Sequence, residues 1–537
     1  MNVRTLGVAV VPAVYNGRMG RVQTEVARKP WLVGAGWVVG LIAAGKLALH
    51  LYAGRHYGYF VDELYYLACA RHLDWGYVDQ PPLIAAIART ARLVLGDSLS
   101  AIRFPAALAG AGTVVLTGMI ARELGGRRFA QGLAALCLAL APGVLALDHF
   151  LSMNAFEPLF WMGCAYLVIR SIRTDNGKLW AWFGAVAGVG LENKHSMLIF
   201  GFGIVAGLVL TRERRWLRSP WFWAGGAIAF LIFLPNLLWN IQHHFPFLEL
   251  QANIRRSGRD VALAAWAFLG QEALAMLPLS VPIWLAGLWY LFFHKEGKRF
   301  RVLGWAWAVT AGVIMGLSPR VYYLFPAFPI LFAAGSVAWE RWLEGVRGQW
   351  IKPVYVTLMV LMGALLAPTL IPLVGPETYI RYAAATHLQQ PRIENHQLGP
   401  LPQLFADQFG WEEMAAVVGG AYNSLPPAVR ARTAIFAQNY GQAGAIDLFG
   451  PKYGIPEGTA ISGHQSYYLW GPRGYTGESM IVMGERPERL EELFTTFQWV
   501  ARVSHPYSMP YEHFDVYYCE GMKQPLSMFW PRVKNWN

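Results

Sequence analysis

The sequence predicts a polytopic α-helical membrane protein with a separate C-terminal α/β domain. Two observations carry that expectation. Of 537 residues, 55% are hydrophobic and only 15% are charged, against about a quarter charged in an ordinary soluble domain. The deficit is also uneven. Long apolar runs fill the chain up to about residue 375, and polar and charged residues return at ordinary density beyond it. The chain therefore divides into a polar tail (1–30), a membrane domain (31–375) and a domain of ordinary size (376–537).

Crossing the hydrocarbon core takes about 20 apolar residues. Suitable stretches lie near 31–53, 101–121, 129–147, 151–170, 179–193, 195–211, 220–240, 270–293, 302–318, 323–340 and 353–374, about eleven spans in all. Residues 179–211 are apolar apart from Glu192-Asn193-Lys194-His195, which reads as a turn at the membrane surface. No cleaved signal peptide is expected, because the N-terminus lacks a short apolar run followed by a small-residue cleavage site.

The formal net charge is +12. A basic balance can indicate nucleic acid, but here Lys and Arg cluster in short connections between apolar runs. No nucleic-acid partner is expected. The basic clusters fall on alternate connections: around Arg18–Lys29, Arg122–Arg128, Arg170–Lys178, Arg212–Arg218, Lys295–Arg301 and Arg341–Lys352. Positive charge marks the cytoplasmic side, and an odd number of spans then puts the C-terminal domain outside. The same outer face holds a long first loop (54–100), whose apolar-periodic segments at 62–73 and 81–95 read as helices lying in the membrane interface.

Within 376–537, segments 433–438, 480–483 and 511–518 read as strands, and 486–497 reads as a helix with Glu488, Glu491 and Glu492 on its polar face. Residues 439–444 look like a glycine loop but match neither phosphate-binding pattern, so a tight strand-to-helix turn is expected. Of the four cysteines, only Cys69 and Cys519 could meet outside the membrane, and no disulfide framework is implied.

Charged groups at the membrane or its rim are costly and mark functional candidates. Asp62 and Glu63 follow the first span among Tyr59, Phe60, Tyr65 and Tyr66. On a helix the two acids point about 100° apart, so one can face a cavity while the other holds a supporting partner. Taken alone, Asp62 reads equally as a helix N-cap. Asp79, before Pro81 and Pro82, reads as a cap-and-turn residue that could still shape a substrate site. Asp148 and His149 stand between two apolar helices, where a simple turn needs neither. Lys194 sits far from the basic side, either snorkelling or facing an anion. The loop after 240 brings His243, Arg255 and Arg256, and Arg320 with Tyr322 stands opposite the basic side. His243 and His244 are sequence neighbours without a third ligand at metal-binding spacing, so no metal or other cofactor is expected. Acids and cations gathered at one lipid boundary suit transfer of a sugar from a lipid phosphate. Cations stabilise the departing phosphate, and a carboxylate takes the proton of the attacking hydroxyl.

These residues carry a family resemblance. The acid pair after the first span, Asp148, the Lys194 turn and the Arg-x-Tyr-Tyr-Leu-x-Pro segment (320–326) resemble the GT-C glycosyltransferases. More narrowly, the chain is similar to bacterial glycosyltransferase family 39, which includes relatives of protein O-mannosyltransferases and lipid A aminoarabinose transferases. Residues 462–472 also resemble the soluble tail of bacterial members. The resemblance implies an inner-membrane hexosyl or pentosyl transferase with a polyprenyl-phosphate sugar donor, an extracytoplasmic acceptor (protein, lipid A or envelope glycan) and inversion at the anomeric carbon. By position it makes Asp62 the base, supported by Glu63, and Asp148 a second acid. It puts Lys194 and Arg320 near the lipid phosphate. Where the family commonly has Lys, this chain has Arg320, which keeps the charge and permits bidentate contact. Arg255 and Arg256 are further candidates for the phosphate, and Tyr65, Tyr66, Asp79, His149, His243 and Tyr322 for substrate. The competing expectations are a transporter or lipid flippase, which would bind near the midplane, and a non-catalytic envelope scaffold.

Overall fold

The first apolar stretch forms a single helix, α1 (Gly36–Ala53), and the chain then turns to make two further helices, α2 (Val61–Arg71) and α3 (Leu83–Leu95), before it re-enters the apolar bundle. The computed structural model describes residues 36–259, 261, 263–317, 320–344, 348–388, 390 and 394–537. The expected polar tail, Arg347 and part of the 319–322 turn lie outside them. The bundle continues through α4 (Leu99–Glu123), α5 (Arg128–Leu140), α6 (Pro142–Leu147), α7 (Met153–Thr174), α8 (Leu179–Asn193), α9 (Met197–Val209), α10 (Pro220–Gln242), α11 (Pro246–Ser257), α12 (Ala265–Ala275), α13 (Val281–Phe293), α14 (Arg301–Gly316), α15 (Phe328–Trp342) and α16 (Ile351–Leu366).

A helix stands at each of the eleven expected stretches, but eleven spans are not reached. Among the described residues five helices are long and apolar enough to cross a membrane: α1, α4, α10, 321–342 and 351–369. A sixth counts if α12 and α13, bent by 100°, form one span. The reason is local. The extended backbone of Ala141 before Pro142 separates α5 from α6, and α8 and α9 stop at 15 and 13 residues. Several helices expose apolar side chains outward, including Phe230 and Leu231 on α10 and Leu358 and Leu361 on α16, as helices facing lipid do. Inside the bundle, small residues bring backbones together. A Cβ on Gly335 would lie 1.8 Å from the Ile283 carbonyl oxygen, and one on Gly287 would lie 2.3 Å from that of Leu331, so α13 and α15 pack closely only with glycine there.

After α17 (Pro376–Thr386) the chain builds an α/β domain, with α18 (Gln403–Ala406), α19 (Trp411–Asn423), α20 (Pro427–Arg430) and α21 (Tyr440–Phe449) around one sheet. Its strands are β1 (Thr433–Ala437), β2 (Ala460–Ser462), β3 (Ser479–Met483), β4 (Phe494–Val503) and β5 (Phe514–Met522), in the order β2-β1-β3-β5-β4. β1 runs parallel to β2 and β3, with Ile435 opposite Ala460 and Ile481. β5 runs antiparallel to β3 and β4. The helix expected over 486–497 is shorter: it ends at Leu493, and Phe494 opens β4. There the aromatic and β-branched residues Phe494, Thr495, Thr496 and Phe497 favour a strand and find a partner in β5. Cys69 and Cys519 are free and buried.

Of the two first-loop helices expected at the membrane interface, α3 exposes Leu93, Val94 and Leu95, whereas α2 is enclosed by protein. Residues Glu63 to Ala70 of α2 are all buried, between the bundle and the C-terminal domain. One apolar core joins Leu64, Tyr65 and Leu67 of α2 to Ile102 of α4, Phe156 of α7 and Ala443, Ala445 and Ile446 of α21. The turn at 439–444 is the expected strand-to-helix connection, with Asn439 Oδ1 accepting from the Gln442 N–H at 2.9 Å. Its glycines have a further role. A Cβ on Gly441 would sit 2.4 Å from Val61 Cγ2, and one on Gly444 would sit 2.8 Å from the Leu64 carbonyl oxygen. Spaced three apart on one face, they let α21 close directly onto α2.

Candidate active site

The two acids at the start of α2 are adjacent in sequence and point to different environments. Glu63 is sealed from solvent. Its carboxylate accepts from Arg103 Nε at 3.0 Å and Nη2 at 2.9 Å, from the Phe60 N–H at 2.9 Å and from the Leu151 N–H at 2.8 Å. The helix-capping contact, considered for Asp62, is thus made by Glu63, which reaches back to a free N–H of the first turn. Arg103 extends the network: it donates to the Gly58 carbonyl at 2.7 Å and its Nη1 lies 3.3 Å from His149 Nε2. This network fastens α2, α4 and the 148–151 turn.

On the other face of α2, Asp62, Tyr65 and Tyr66 come together at helical spacing. Asp62 is partly exposed, and its Oδ1 accepts from the Tyr440 hydroxyl at 2.7 Å. Tyr440 stacks on Tyr65 and on His464, each at 4.8 Å between centroids. Tyr65 donates to Asp79 Oδ1 at 2.9 Å, and its hydroxyl oxygen lies 2.7 Å from Ser466 Oγ, which donates to it. Asp79 therefore does not cap α3; it is held by a tyrosine. Burial pushes the Asp62 carboxyl upward; the Tyr440 hydrogen bond opposes this, Glu394 adds to it, and Arg320 and Arg259 oppose it. Burial likewise raises Asp79, to about 7, with the Asp62 charge contributing. Burial raises the Tyr66 hydroxyl, with Asp62, Asp79 and Tyr322 adding to the effect. Such carboxyls are stronger bases than exposed ones when ionised.

The cations differ from the sequence expectation. Arg320 pairs with Glu394 of the C-terminal region, and Arg259 Nε lies 3.6 Å from the same carboxylate. Burial alone would raise Glu394, but Arg320 and Arg259 hold it below its ordinary value. Arg255 and Arg256 point to solvent from α11; Arg259, beyond the helix end, is the arginine that reaches the acids. Lys194 is nearly buried. It donates to Asn154 Oδ1 at 2.8 Å and Glu157 Oε2 at 2.9 Å, with its ammonium 5.3 Å from the Tyr322 ring and 4.3 Å from the Tyr323 ring.

Three other candidates stand apart. Asp148 is locked to Lys46 at 2.9 Å with both side chains about 1% exposed, so it ties α1 to the end of α6. His149 is buried against Arg103. His243 stacks on Trp239 at 4.1 Å, with Nδ1 2.8 Å from the Trp239 carbonyl oxygen. Among the described residues no group of three or more His, Cys, Asp or Glu is placed to hold a metal ion.

The sequence reading missed Tyr440, Ser466, His464, Glu394 and Arg259. The first three come from the C-terminal domain and meet α2 only through the fold. One signal was available: Gly441 and Gly444 at helical spacing mark a face of close approach, and Tyr440 adjoins it. Nothing in spacing separates Arg259 from Arg255 and Arg256.

A helical bundle roofed by a C-terminal sheet domain, with acids and arginines at their junction, is an architecture shared with known proteins. Residues 79–239 match the family described as dolichyl-phosphate-mannose-protein mannosyltransferase. Lipid A galacturonosyltransferase RgtD from Rhizobium johnstonii is 28% identical over 312 residues, which cover 54% of this chain and 62% of that protein, so the chain spans less than two thirds of that relative. ArnT from Cupriavidus metallidurans shares the fold with a TM-score of 0.57 at 16% identity, covering 90% of this chain and 98% of ArnT. The mycobacterial arabinofuranosyltransferase AftD aligns with a TM-score of 0.50 at 14% identity, over 90% of this chain and 40% of AftD. The resemblance to GT-C glycosyltransferases is borne out.

Proposed function

We propose that this chain is an inverting glycosyltransferase that moves a sugar from a polyprenyl-phosphate donor to a hydroxyl on an extracytoplasmic acceptor. The observation that carries the reading is the setting of Asp62 where the bundle meets the C-terminal domain: a partly exposed residue whose carboxylate is bound by one tyrosine, with Arg320 and Arg259 acting against the upward pull of burial on it. In the proposed step the acceptor oxygen bonds to the anomeric carbon and passes its proton to Asp62. The bond between that carbon and the phosphate oxygen breaks, and the polyprenyl phosphate leaves with the electron pair. Arg320 and Arg259 take up the phosphate charge in place of Glu394. One carboxylate without a covalent intermediate gives inversion through an oxocarbenium-like state. Tyr66, on the Asp62 face of α2, and Tyr322, whose charge influences it, serve the sugar. Lys194, already paired with Glu157, acts on the phosphate only through the tyrosine pair it underlies.

The relatives support the donor class. The ArnT structure that shares the fold is bound to undecaprenyl phosphate, and the matching family is described by a dolichyl-phosphate donor. The basic clusters on alternate connections support an outward-facing site in an inner membrane, with the membrane domain ending near 375. The test offers the purified protein a panel of undecaprenyl-phosphate sugars and measures released lipid phosphate and glycosylated acceptor. Protein, lipid A and envelope glycan are offered as separate acceptors. Consumption of one donor dependent on one acceptor is expected. No consumption across the panel, with membrane extract restoring none, overturns the reading and leaves transport or scaffolding.

A further inference from the structure

We propose that Tyr440, supplied by the C-terminal domain, is the positioning residue for the Asp62 carboxylate, so that this domain completes the catalytic site. The inference rests on the role proposed for Asp62. Four contacts fix the tyrosine. Its hydroxyl donates to Asp62 Oδ1 at 2.7 Å. Its ring lies between Tyr65 and His464, both at 4.8 Å. Its backbone N–H donates to His464 Nδ1 at 3.1 Å. His464 Nε2 in turn meets the Asn537 carbonyl oxygen at 3.2 Å, so the proton sits on Nε2 and the tautomer is consistent at both ends. Gly441 and Gly444 bring α21 against α2 closely enough for this reach. A mobile carboxylate would divide its time among rotamers; one held by a stacked phenol presents its second oxygen to an incoming hydroxyl.

The hydrogen bond also favours the ionised form that a base needs. Around Asp62 stand Tyr440 from α21, Tyr66 from α2, Asp79 before α3, Glu394 and Asp407 from the C-terminal region, and Arg320 and Arg259. Among these, Tyr440 is the group whose hydroxyl bonds to the carboxylate itself and, after burial, has the largest influence on it. The Tyr440→Phe variant keeps the ring and both stacks and removes only the donor.

The experiment measures kcat, donor KM and the pH profile of transfer for the full-length protein, Tyr440→Phe and a 3-fluorotyrosine at 440. Tyr440→Phe is expected to lower kcat about tenfold, the loss of one hydrogen bond to a charge, with donor KM little changed. Its acid limb moves to higher pH. The fluorinated phenol is a stronger donor, so its acid limb moves to lower pH. In an Asp62→Asn background, Tyr440→Phe leaves the residual rate unchanged. Wild-type kcat and acid limb in Tyr440→Phe overturn the inference. So does a fall in kcat with unmoved limbs in both variants, which a purely structural role would produce. Absence of transfer by the unmodified protein overturns the parent reading instead.

Discussion

On one face of α2, Glu63 accepts five hydrogen bonds from Arg103, Phe60 and Leu151 and is shut away from solvent; on the other, Asp62 accepts one from Tyr440 and stays partly exposed. The bundle repeats the first pattern at Asp148 with Lys46 and at Glu157 with Lys194. The junction with the C-terminal domain repeats the second at Asp79, bound by Tyr65, and repeats its tyrosine contact at the buried Asp407, bound by Tyr511 at 3.0 Å. An ion-paired buried acid is fixed in geometry, and removing either partner is costly. A tyrosine-bound acid can gain or lose a proton at modest cost. The difference separates acids that hold the helices from acids able to do proton chemistry.

The sharpest way to break this division is Asp62→Asn. Transfer should fall by about 10³-fold, within the range of a general base, while donor affinity and the thermal midpoint stay near those of the unmodified protein. Glu63→Ala should do the reverse. It leaves Arg103 buried and unpaired, for a loss of about 3–5 kcal/mol in stability, read as a lowered midpoint in detergent. Equal loss of stability in both variants would erase the contrast between the two faces.

The cations offer a finer contrast. Arg320→Ala and Arg259→Ala should each raise donor KM by about tenfold, as loss of one charge-assisted contact does. The double change Arg255→Ala and Arg256→Ala should leave donor KM alone, because both side chains point to solvent. A larger effect from the α11 pair would shift the phosphate site towards α11.

Much of the fold was legible because its signals are local. Apolar length marked the helices, and strands β1 and β3 showed as short buried runs. What escaped depended on distant chain segments. The span count is the exception, missed on local grounds: it treated 129–147 and 270–293 as continuous, whereas Pro142 and the 276–277 break cut those runs short. The helix expected through Phe497 gave way at Phe494 because β5, twenty residues later in sequence, offers a pairing partner. At the site, the acids Asp62 and Asp79 stood out as charges near a membrane. The partner of Asp62, Tyr440, is an ordinary residue 378 positions away, and Ser466, which meets the Tyr65 that holds Asp79, is 401 positions from that tyrosine; both contacts are visible only once α21 rests on α2. Asp148 and His149 stood out because charge in an apolar setting needs a partner. The explanation is a partner on α1 for one and Arg103 for the other.

The smallest expected effect concerns Asp79. Burial raises its carboxyl to about 7 in the folded protein, against about 3.9 in an unfolded chain. Between those values the folded state keeps a proton that the unfolded state has released. Stability from this group is therefore full at pH values below the unfolded value and declines as pH rises to about 7, then levels. The thermal midpoint of the full-length protein, followed across that window, should carry this decline. Asp79→Asn cannot titrate and keeps a side-chain oxygen for the Tyr65 hydroxyl, so its decline should be shallower, with the two curves drawing apart towards neutral pH. Parallel curves would mean that Asp79 carries no proton in the window. It would then not belong with Asp62 among the acids set up for proton chemistry.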